Sequence, residues 1–472
     1  MAKFLDRTTS KLVFRTRQSV GYRDTRKQYK YLTSEQRGTI PGSIVFSIPS
    51  QTPIGPNCSS GGYWITTISP QNIYPLSQYT DAQCNYYMAY TSFSSTASYQ
   101  KFDSSGQTSI FSTYETFENG EDISEIFVDP LGNLYVCYGD GIRKTDSSGD
   151  ILWEKYFQNI TLYGVSVNSI GEIFINGENN SGNNGVIIAK LDSEGIVLAQ
   201  KELVLDSGNW YAYTGPKIDS QDNVIWSIPM YDESYSNLFV KFDSDLNFIW
   251  DTRLDPTNQI GDYDVTEFGI DSNNNIYANH YYNTIAKYDS NGDFIWARAL
   301  SSSIEQDYVG CQGLGVTENG DVFYLGPDNK SKFESGDSTN VFYITKINSD
   351  GDLQYISYIS SSLTSINDAS WNYAQAMTTV KSNAINVCFQ VPSNYGCFAK
   401  LPLTQVPDGQ YGDFYFIDIT NNPNLELQPF TNTSRISTNY TLENTNAFDT
   451  TFTKTYITQT ATGITIANTI IE

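Results

Sequence analysis

Ile142-Arg-Lys-Thr-Asp-Ser-Ser-Gly-Asp-Ile-Leu-Trp153 and Ile285-Ala-Lys-Tyr-Asp-Ser-Asn-Gly-Asp-Phe-Ile-Trp296 are two copies of one pattern. Each reads as a strand, a tight turn and a second strand. The short side chains of Asp and Ser bond to nearby backbone, and Gly tolerates a positive φ. Looser copies place the same lysine at Lys101, Lys144, Lys190, Lys241, Lys287 and Lys346, each followed two residues later by Asp103, Asp146, Asp192, Asp243, Asp289 or Asn348. A degenerate copy sits at Lys400. The intervals run from 43 to 59 residues, which fits a propeller blade with loop insertions. Seven anchors predict seven blades.

One full unit is visible between Ile123 and Phe157. Ile123 to Val128 reads as an inner strand and Asp129 to Gly132 as a turn. Asn133 to Tyr138 and Gly141 to Thr145 follow as strands, Asp146 to Gly149 as a second turn, and Asp150 to Phe157 as the fourth strand. The first turn recurs at Asp219 to Asn223, Asp271 to Asn275 and Thr317 to Gly320, with strands after it from Val224, Ile276 and Val322. Helical periodicity is absent, so the fold class is all-β: a β-propeller of seven four-stranded blades. Asn383 to Val391, Gly396 to Leu401 and Phe414 to Ile419 supply strands for a final, decayed blade. Ser43 to Pro49 reads as an early strand that could complete that blade and close the ring. The expected division is a basic arm over residues 1–42, a propeller over 43–420 and a Thr/Asn-rich segment over 421–472, either a β-rich extension or a strand-donating tail and not an eighth blade.

The chain carries a net charge of −24, unevenly spread. Residues 1–37 hold ten Lys or Arg against three Asp or Glu, a balance of +7, which leaves −31 on the rest. Phe4, Leu5, Leu12, Val13, Phe14 and Tyr22 stand among those cations. The arm therefore reads as an anchor that orders against an acidic neighbour or a copy of the same protein, through Arg7, Lys11, Arg15, Arg17, Arg23, Arg26, Lys27 and Lys30. So acidic a body repels phosphate, so nucleic acid is not the expected partner and could be met only by an arm that holds it well away from the body. The first residues lack the apolar run of a Sec signal, and no stretch reaches the roughly 20 apolar residues of a membrane span, so neither export by that route nor a span is expected. Cys58, Cys84, Cys137, Cys311, Cys388 and Cys397 contain no CxxC pair and read as buried, reduced thiols.

The repeated Lys-x-Asp pair places both side chains on one strand face, but a catalytic pair is needed once and this one recurs in most blades. It is read as a blade-edge or turn-stabilising feature. The loops at Asp271 to Asn275 and Asp289 to Asp293 look like calcium loops yet lack the EF-hand spacing and its bidentate Glu. His280 is the single histidine and has no Gly-x-Ser-x-Gly elbow beside it. No catalytic residue, metal site or cofactor is expected. Paired carboxylates for glycoside cleavage stay open, because an acidic chain offers many pairs. Trp153, Trp250 and Trp296 share one position in three fourth strands and read as packing between blades; Trp210 and Trp371 fall outside that register and are candidate contacts for a ligand such as a glycan.

The pattern Asp-x-x-Gly-Asn-Leu-Tyr-Val followed by Lys-x-Asp-Ser-x-Gly-Asp-Ile-Leu-Trp, with copies spread over residues 60–400, resembles the bacterial β-propeller repeats of the SBBP and NHL-like kind. That resemblance implies a fold and no particular function. The whole layout, with its basic arm, Tyr/Asn/Ser/Thr-rich β body and Thr-rich tail, looks like virion proteins of tailed phages. It implies a non-enzymatic structural or adaptor protein of a tail, baseplate, fibre or capsid decoration, made in the host cytoplasm and carried in the virion. Its partners would be other virion proteins and copies of itself. The alternative is a propeller that binds host-surface glycan, and a third reading is a polysaccharide-cleaving enzyme.

Overall fold

The computed structural model describes residues 2–6, 11–15, 58 and 62–471, apart from loops of which the largest are 254–266, 330–339, 362–376, 431–439 and 445–456. Two compact units are present, Met1–Ile54 and Gly55–Glu472. In the first, Ala2–Asp6 and Lys11–Arg15 pair antiparallel as a hairpin. The second is a closed ring of seven antiparallel blades, with no helix among the described residues.

Blade 1 runs Ile73–Thr80, Tyr86–Ser92, Thr96–Phe102 and Ser109–Thr116, and blade 2 runs Ile123–Val128, Leu134–Tyr138, Gly141–Thr145 and Ile151–Tyr156. Blade 3 comprises Ile160–Val167, Ile173–Asn179, Val186–Leu191 and Val197–Leu205. In blade 4 the inner strand is split into Asn209–Trp210 and Lys217–Ile218, followed by Val224–Tyr231, Tyr235–Phe242 and Phe248–Arg253. Blade 5 has Glu267–Ile270, Ile276–His280, Thr284–Tyr288 and Phe294–Ser302; blade 6 has Gly313–Val316, Val322–Asn329, Asn340–Ile347 and Leu353–Ser361. Blade 7 has Met377–Lys381, Ala384–Val391 and Tyr395–Pro402, and takes its fourth strand, Tyr63–Ser69, from the start of the ring.

That fourth strand corrects the expected closure. An early strand does complete the last blade, but it is Tyr63–Ser69, while Ser43 to Pro49 lies outside the described residues. Phe414–Asp418, expected in the last blade, instead pairs with Leu353–Ser361 of blade 6. The reason is vacancy: Tyr63–Ser69 already occupies the fourth place of blade 7.

The core is divided into seven interfaces, one between each pair of neighbouring blades. Tyr87, Tyr99, Val136 and Tyr138 fill the space between blades 1 and 2. Phe174, Trp226, Val240 and Phe242 do so between blades 3 and 4. Trp64, Met88, Phe102 and Phe398 join blade 7 to blade 1. Middle strands are consequently buried on both faces, as in Leu134–Tyr138 and Val186–Leu191. Such strands read as continuous apolar runs, and each fully buried large side chain contributes about 1.5–3 kcal/mol.

The repeated motif explains how neighbouring blades are fastened. Each lysine of a third strand donates to the outer turn of the next blade. Lys101 reaches Ser147 O at 3.2 Å, Lys144 reaches Ser193 O at 3.1 Å, Lys241 reaches Ser290 O at 3.4 Å and Lys287 reaches Ser349 O at 2.9 Å. Lys190 bonds the Asp245 carboxylate at 3.0 Å, Lys346 reaches Leu403 O at 3.5 Å, and Lys400 closes the circle on Ser104 O at 3.2 Å. In four blades a fourth-strand tryptophan sits directly across from the lysine and donates to the same carbonyl: Trp64, Trp153, Trp250 and Trp296 at 2.9–3.3 Å. The turn glycine then lies beneath the indole. A Cβ on Gly106, Gly195, Gly292 or Gly351 would stand 2.6–3.2 Å from Trp64, Trp153, Trp250 or Trp296. All four glycines also have positive φ, from +67° to +88°.

The aspartate two residues after each lysine folds the turn itself. Asp146 Oδ1 accepts the N–H groups of Ser148 and Asp150 at 2.8 and 3.0 Å, and Asp192, Asp243 and Asp289 do the same in their blades. This is the turn-stabilising role expected of the pair.

One cysteine expectation is overturned. Cys58 and Cys84 form a disulfide with Cα atoms 5.4 Å apart, tying the segment before the closing strand to the first hairpin turn of blade 1. The spacing of 26 residues carries no recognisable pattern, so sequence reasoning missed it. Cys137, Cys388 and Cys397 are buried and form no disulfide, as expected, and Cys311 lies outside the described residues.

Candidate functional site

The outer rim is the surface most clearly organised for contact. After blade 7 the chain turns back and adds strands to the outer edges of the ring, always antiparallel. Phe414–Asp418, backed by Gly409–Tyr411, extends blade 6, and Leu425–Phe430 extends blade 5 along Phe294–Ser302. Tyr440–Asn444 extends blade 3, Ile457–Thr460 extends blade 1, and Thr465–Ile471 extends blade 7 along Tyr63–Ser69. The tail thus makes a circuit of the propeller and acts as a strand donor.

Two rim positions are left without a partner strand among the described residues: Ile151–Tyr156 of blade 2 and Phe248–Arg253 of blade 4. Both open with adjacent exposed apolar residues, Ile151 and Leu152 at 48% and 52%, Phe248 and Ile249 at 48% and 45%. The second of each pair, Leu152 or Ile249, sits at a register shift against the third strand.

The inner strands converge on a second cluster, at Glu125 of blade 2, Lys217 of blade 4 and Glu267 of blade 5. Lys217 Nζ lies 3.3 Å from Glu125 Oε1, while Glu125 Oε2 accepts the Val165 N–H of the next blade at 2.9 Å. Glu267 Oε2 accepts the Leu314 N–H of blade 6 at 2.9 Å. Burial pushes Glu267 up to about 8, against the pull of Lys217 and the Leu314 N–H. Burial lowers Lys217 as well, but Glu125 and Glu267 outweigh it and hold the ammonium above its ordinary value. Gly215 makes room for the cluster, since a Cβ there would stand 1.8 Å from Glu125 Oε2. This arrangement fastens inner strands and balances charge. Sequence reasoning passed over it because each residue occurs once, outside the repeat.

The remaining candidates are placed as follows. Lys11 and Arg15 end the second strand of the N-terminal hairpin; Arg7, Arg17, Arg23, Arg26, Lys27 and Lys30 lie outside the described residues. Trp210 stands in the short inner strand Asn209–Trp210 opposite Met230, and Trp371 lies outside the described residues. His280 is buried with Nε2 2.8 Å from the Tyr288 hydroxyl, and burial lowers its pKa to about 4. In the loop at Asp271, both carboxylate oxygens are engaged, by the N–H groups of Asn273 and Asn275 and by the side chains of Asn275 and Tyr277.

No protein-family model matches the sequence, and no curated protein matches it. Solved structures similar to the chain include the WD40 β-propeller domain of Doa1, at 12% identity over 72% of this chain and 97% of that chain with a TM-score of 0.45. The Dos1 propeller is 10% identical over 74% of this chain and 97% of that chain, TM-score 0.43. BamB from Moraxella catarrhalis is 11% identical over 69% of this chain and 85% of that chain, TM-score 0.39. At such identities the likeness concerns fold alone.

Proposed function

We propose that this protein is a non-enzymatic scaffold of a tailed-phage virion, in which the propeller is the interaction body and the basic N-terminal arm the anchor. The observation that supports the reading is the rim: among the described residues, five of seven blades end in a donated strand. Strand addition is the physical mode by which an extended segment of one chain binds the sheet edge of another. The Cys58–Cys84 disulfide agrees with a location on a particle surface that meets oxidising surroundings. The arm's balance of +7 against −31 on the body supplies long-range attraction between copies or toward another acidic partner.

Electron cryo-microscopy of native particles containing the chain tests this. Repeated copies in a symmetric particle, with residues 1–42 buried in a neighbour, are the expected result. A free monomer absent from purified particles overturns the reading, and binding of that monomer to a host glycan would replace it.

A further inference from the structure

Strands alternate in direction along a blade, so the turn between its first and second strands and the turn between its third and fourth strands lie at the same end. All ten large apolar side chains exposed among the described residues stand at that end of blades 1 to 5. Six of them belong to the neighbouring blades 2 and 3. Leu131 and Ile170, 85% and 72% exposed, tip the turns after the first strands, and Ile151, Leu152, Ile196 and Leu198 follow the turns after the third strands. Exposed apolar residues gathered in this way mark a surface of contact. The surface is held from below. Trp153 ties blade 2 to Ser193 of blade 3, and Ser169 ties blade 3 to Asp222 of blade 4 through its N–H at 2.9 Å and its hydroxyl at 2.6 Å. Its exposed charge is acidic. The turns 129–133, 146–150, 168–172 and 192–196 contain no Lys or Arg. Asp150 and Glu194 are exposed among the apolar residues, whereas Glu172 is taken up by Lys190. Lys144 and Lys190 are buried beneath the turns, and Lys155 lies half-buried against Gly195.

We propose that this turn face of blades 2 and 3 docks a basic polypeptide of another protein, a segment in which Lys or Arg is interspersed with apolar residues. The proposal rests on the reading of the propeller as an interaction body and names the face and the chemistry of its partner. Charge selects among the possible occupants of an apolar surface. A second copy using the same face would set the patch against itself and bring Asp150 and Glu194 close to like charges. An anionic membrane or a nucleic acid would bring phosphate to a body that carries −31. A cationic segment gains from both features of the face. Its apolar side chains cover Leu131, Ile170 and their neighbours, and its cations reach the carboxylates between them. Because Trp153, Ser169 and the turn aspartates already fix the turns, docking orders little of this chain.

The test uses the full chain and three synthetic peptides of equal length, built from Lys and Leu, from Lys and Ser, or from Glu and Leu. Calorimetric titration should show the Lys/Leu peptide binding most tightly, the Lys/Ser peptide more weakly and the Glu/Leu peptide not at all, with affinity falling between about 0.15 and about 0.5 M salt. Two doubly substituted chains, Leu131→Ser with Ile170→Ser and Asp150→Lys with Glu194→Lys, should each weaken the Lys/Leu peptide by about tenfold or more at unchanged melting temperature. Glu426→Lys, on the donated strand at the opposite end of blade 5, should leave binding unchanged. Should one double variant fail to fold, the other decides, together with amide hydrogen exchange of the parent chain, which the peptide should slow over 146–152 and 192–198. Binding that neither double variant weakens is diffuse attraction to an acidic body and overturns the proposal. Attachment to phosphatidylserine vesicles, or self-association, that the Leu131/Ile170 variant abolishes gives the face to a membrane or to a second copy and overturns it too. A chain that binds the peptide at this face but is absent from purified particles fails the virion reading alone, and a chain found in particles that binds no peptide fails this proposal alone.

Discussion

The ring of latches between blades and the circuit of donated strands around the rim solve the same problem, tying separate sheets together, by different chemistry. A latch needs side chains: a lysine, a tryptophan and a glycine in fixed places, as in Lys287, Trp296 and Gly351. A donated strand needs main chain, which every residue has. The first method therefore leaves a repeated signature and the second leaves almost none. Blade 3 shows how far a latch can vary: Ala199 replaces the tryptophan across from Lys190, and the lysine turns to the carboxylates of Asp245 and Glu172 at 3.0 and 2.9 Å.

The sharpest way to break a latch is to remove its charge. Lys241 Nζ lies 2.8 Å from Asp219 Oδ2, with both side chains almost wholly buried. Lys241→Met should cost about 3–5 kcal/mol in chemical denaturation, because it strands the Asp219 carboxylate without a cation. The pH dependence fixes the cause. Burial alone would raise Asp219, but Lys241 and the Asn223 and Gln221 donors hold it below the usual carboxylate range. Its stabilising contribution is present above the unfolded-state value of about 4 and is lost as pH falls through the folded value. The penalty of Lys241→Met should thus be large at pH 7 and shrink at pH 3.5. An equal penalty at both would assign the loss to packing.

The same contrast explains what could be read in advance. Seven blades, the strands of blade 2 and the turn role of Asp146 were legible because each repeats a local geometric need. Trp64, paired with Lys400, was a legible sign of the closing strand, since it stands where Trp153, Trp250 and Trp296 stand, but it lies far from the rest of its blade in sequence. The order in which the tail visits blades, the Cys58–Cys84 bond and the Glu125–Lys217–Glu267 cluster were not legible. Each depends on contacts between distant segments that occur once, so no periodicity marks them.

A tie made once in the chain should matter less than a charged latch. Cys84→Ser opens a loop of 26 residues and should lower stability by about 3 kcal/mol. Reductant should lower the stability of the parent chain by the same amount and leave the variant unmoved.

Glycine substitution separates the two parts of a latch. Gly292→Ala meets both a positive φ of 80° and Trp250 at 2.9 Å, and should cost about 2 kcal/mol. Gly171→Ala has a φ of 87° with nothing within 4 Å, and should cost about 1 kcal/mol. Equal losses in urea denaturation would mean that the indole adds nothing to the fastening.

A dependence of opposite sign belongs to the inner strands, where a single carboxylate is fastened without a repeated motif. Glu267 has its folded pKa pushed up to about 8, whereas an unfolded glutamate titrates near 4.3. Between those values the unfolded chain has released a proton that the folded chain keeps, so stability falls as pH rises through that window. Gln removes the titration and keeps an oxygen to accept the Leu314 N–H. Glu267→Gln should accordingly leave stability unchanged near pH 4 and raise it at pH 8, as read from melting temperatures across that range. A variant that loses stability at pH 8 would mean that the ionised carboxylate, facing Lys217, fastens the inner strands as an ion pair, and the centre of the ring would then depend on charge as the latches do.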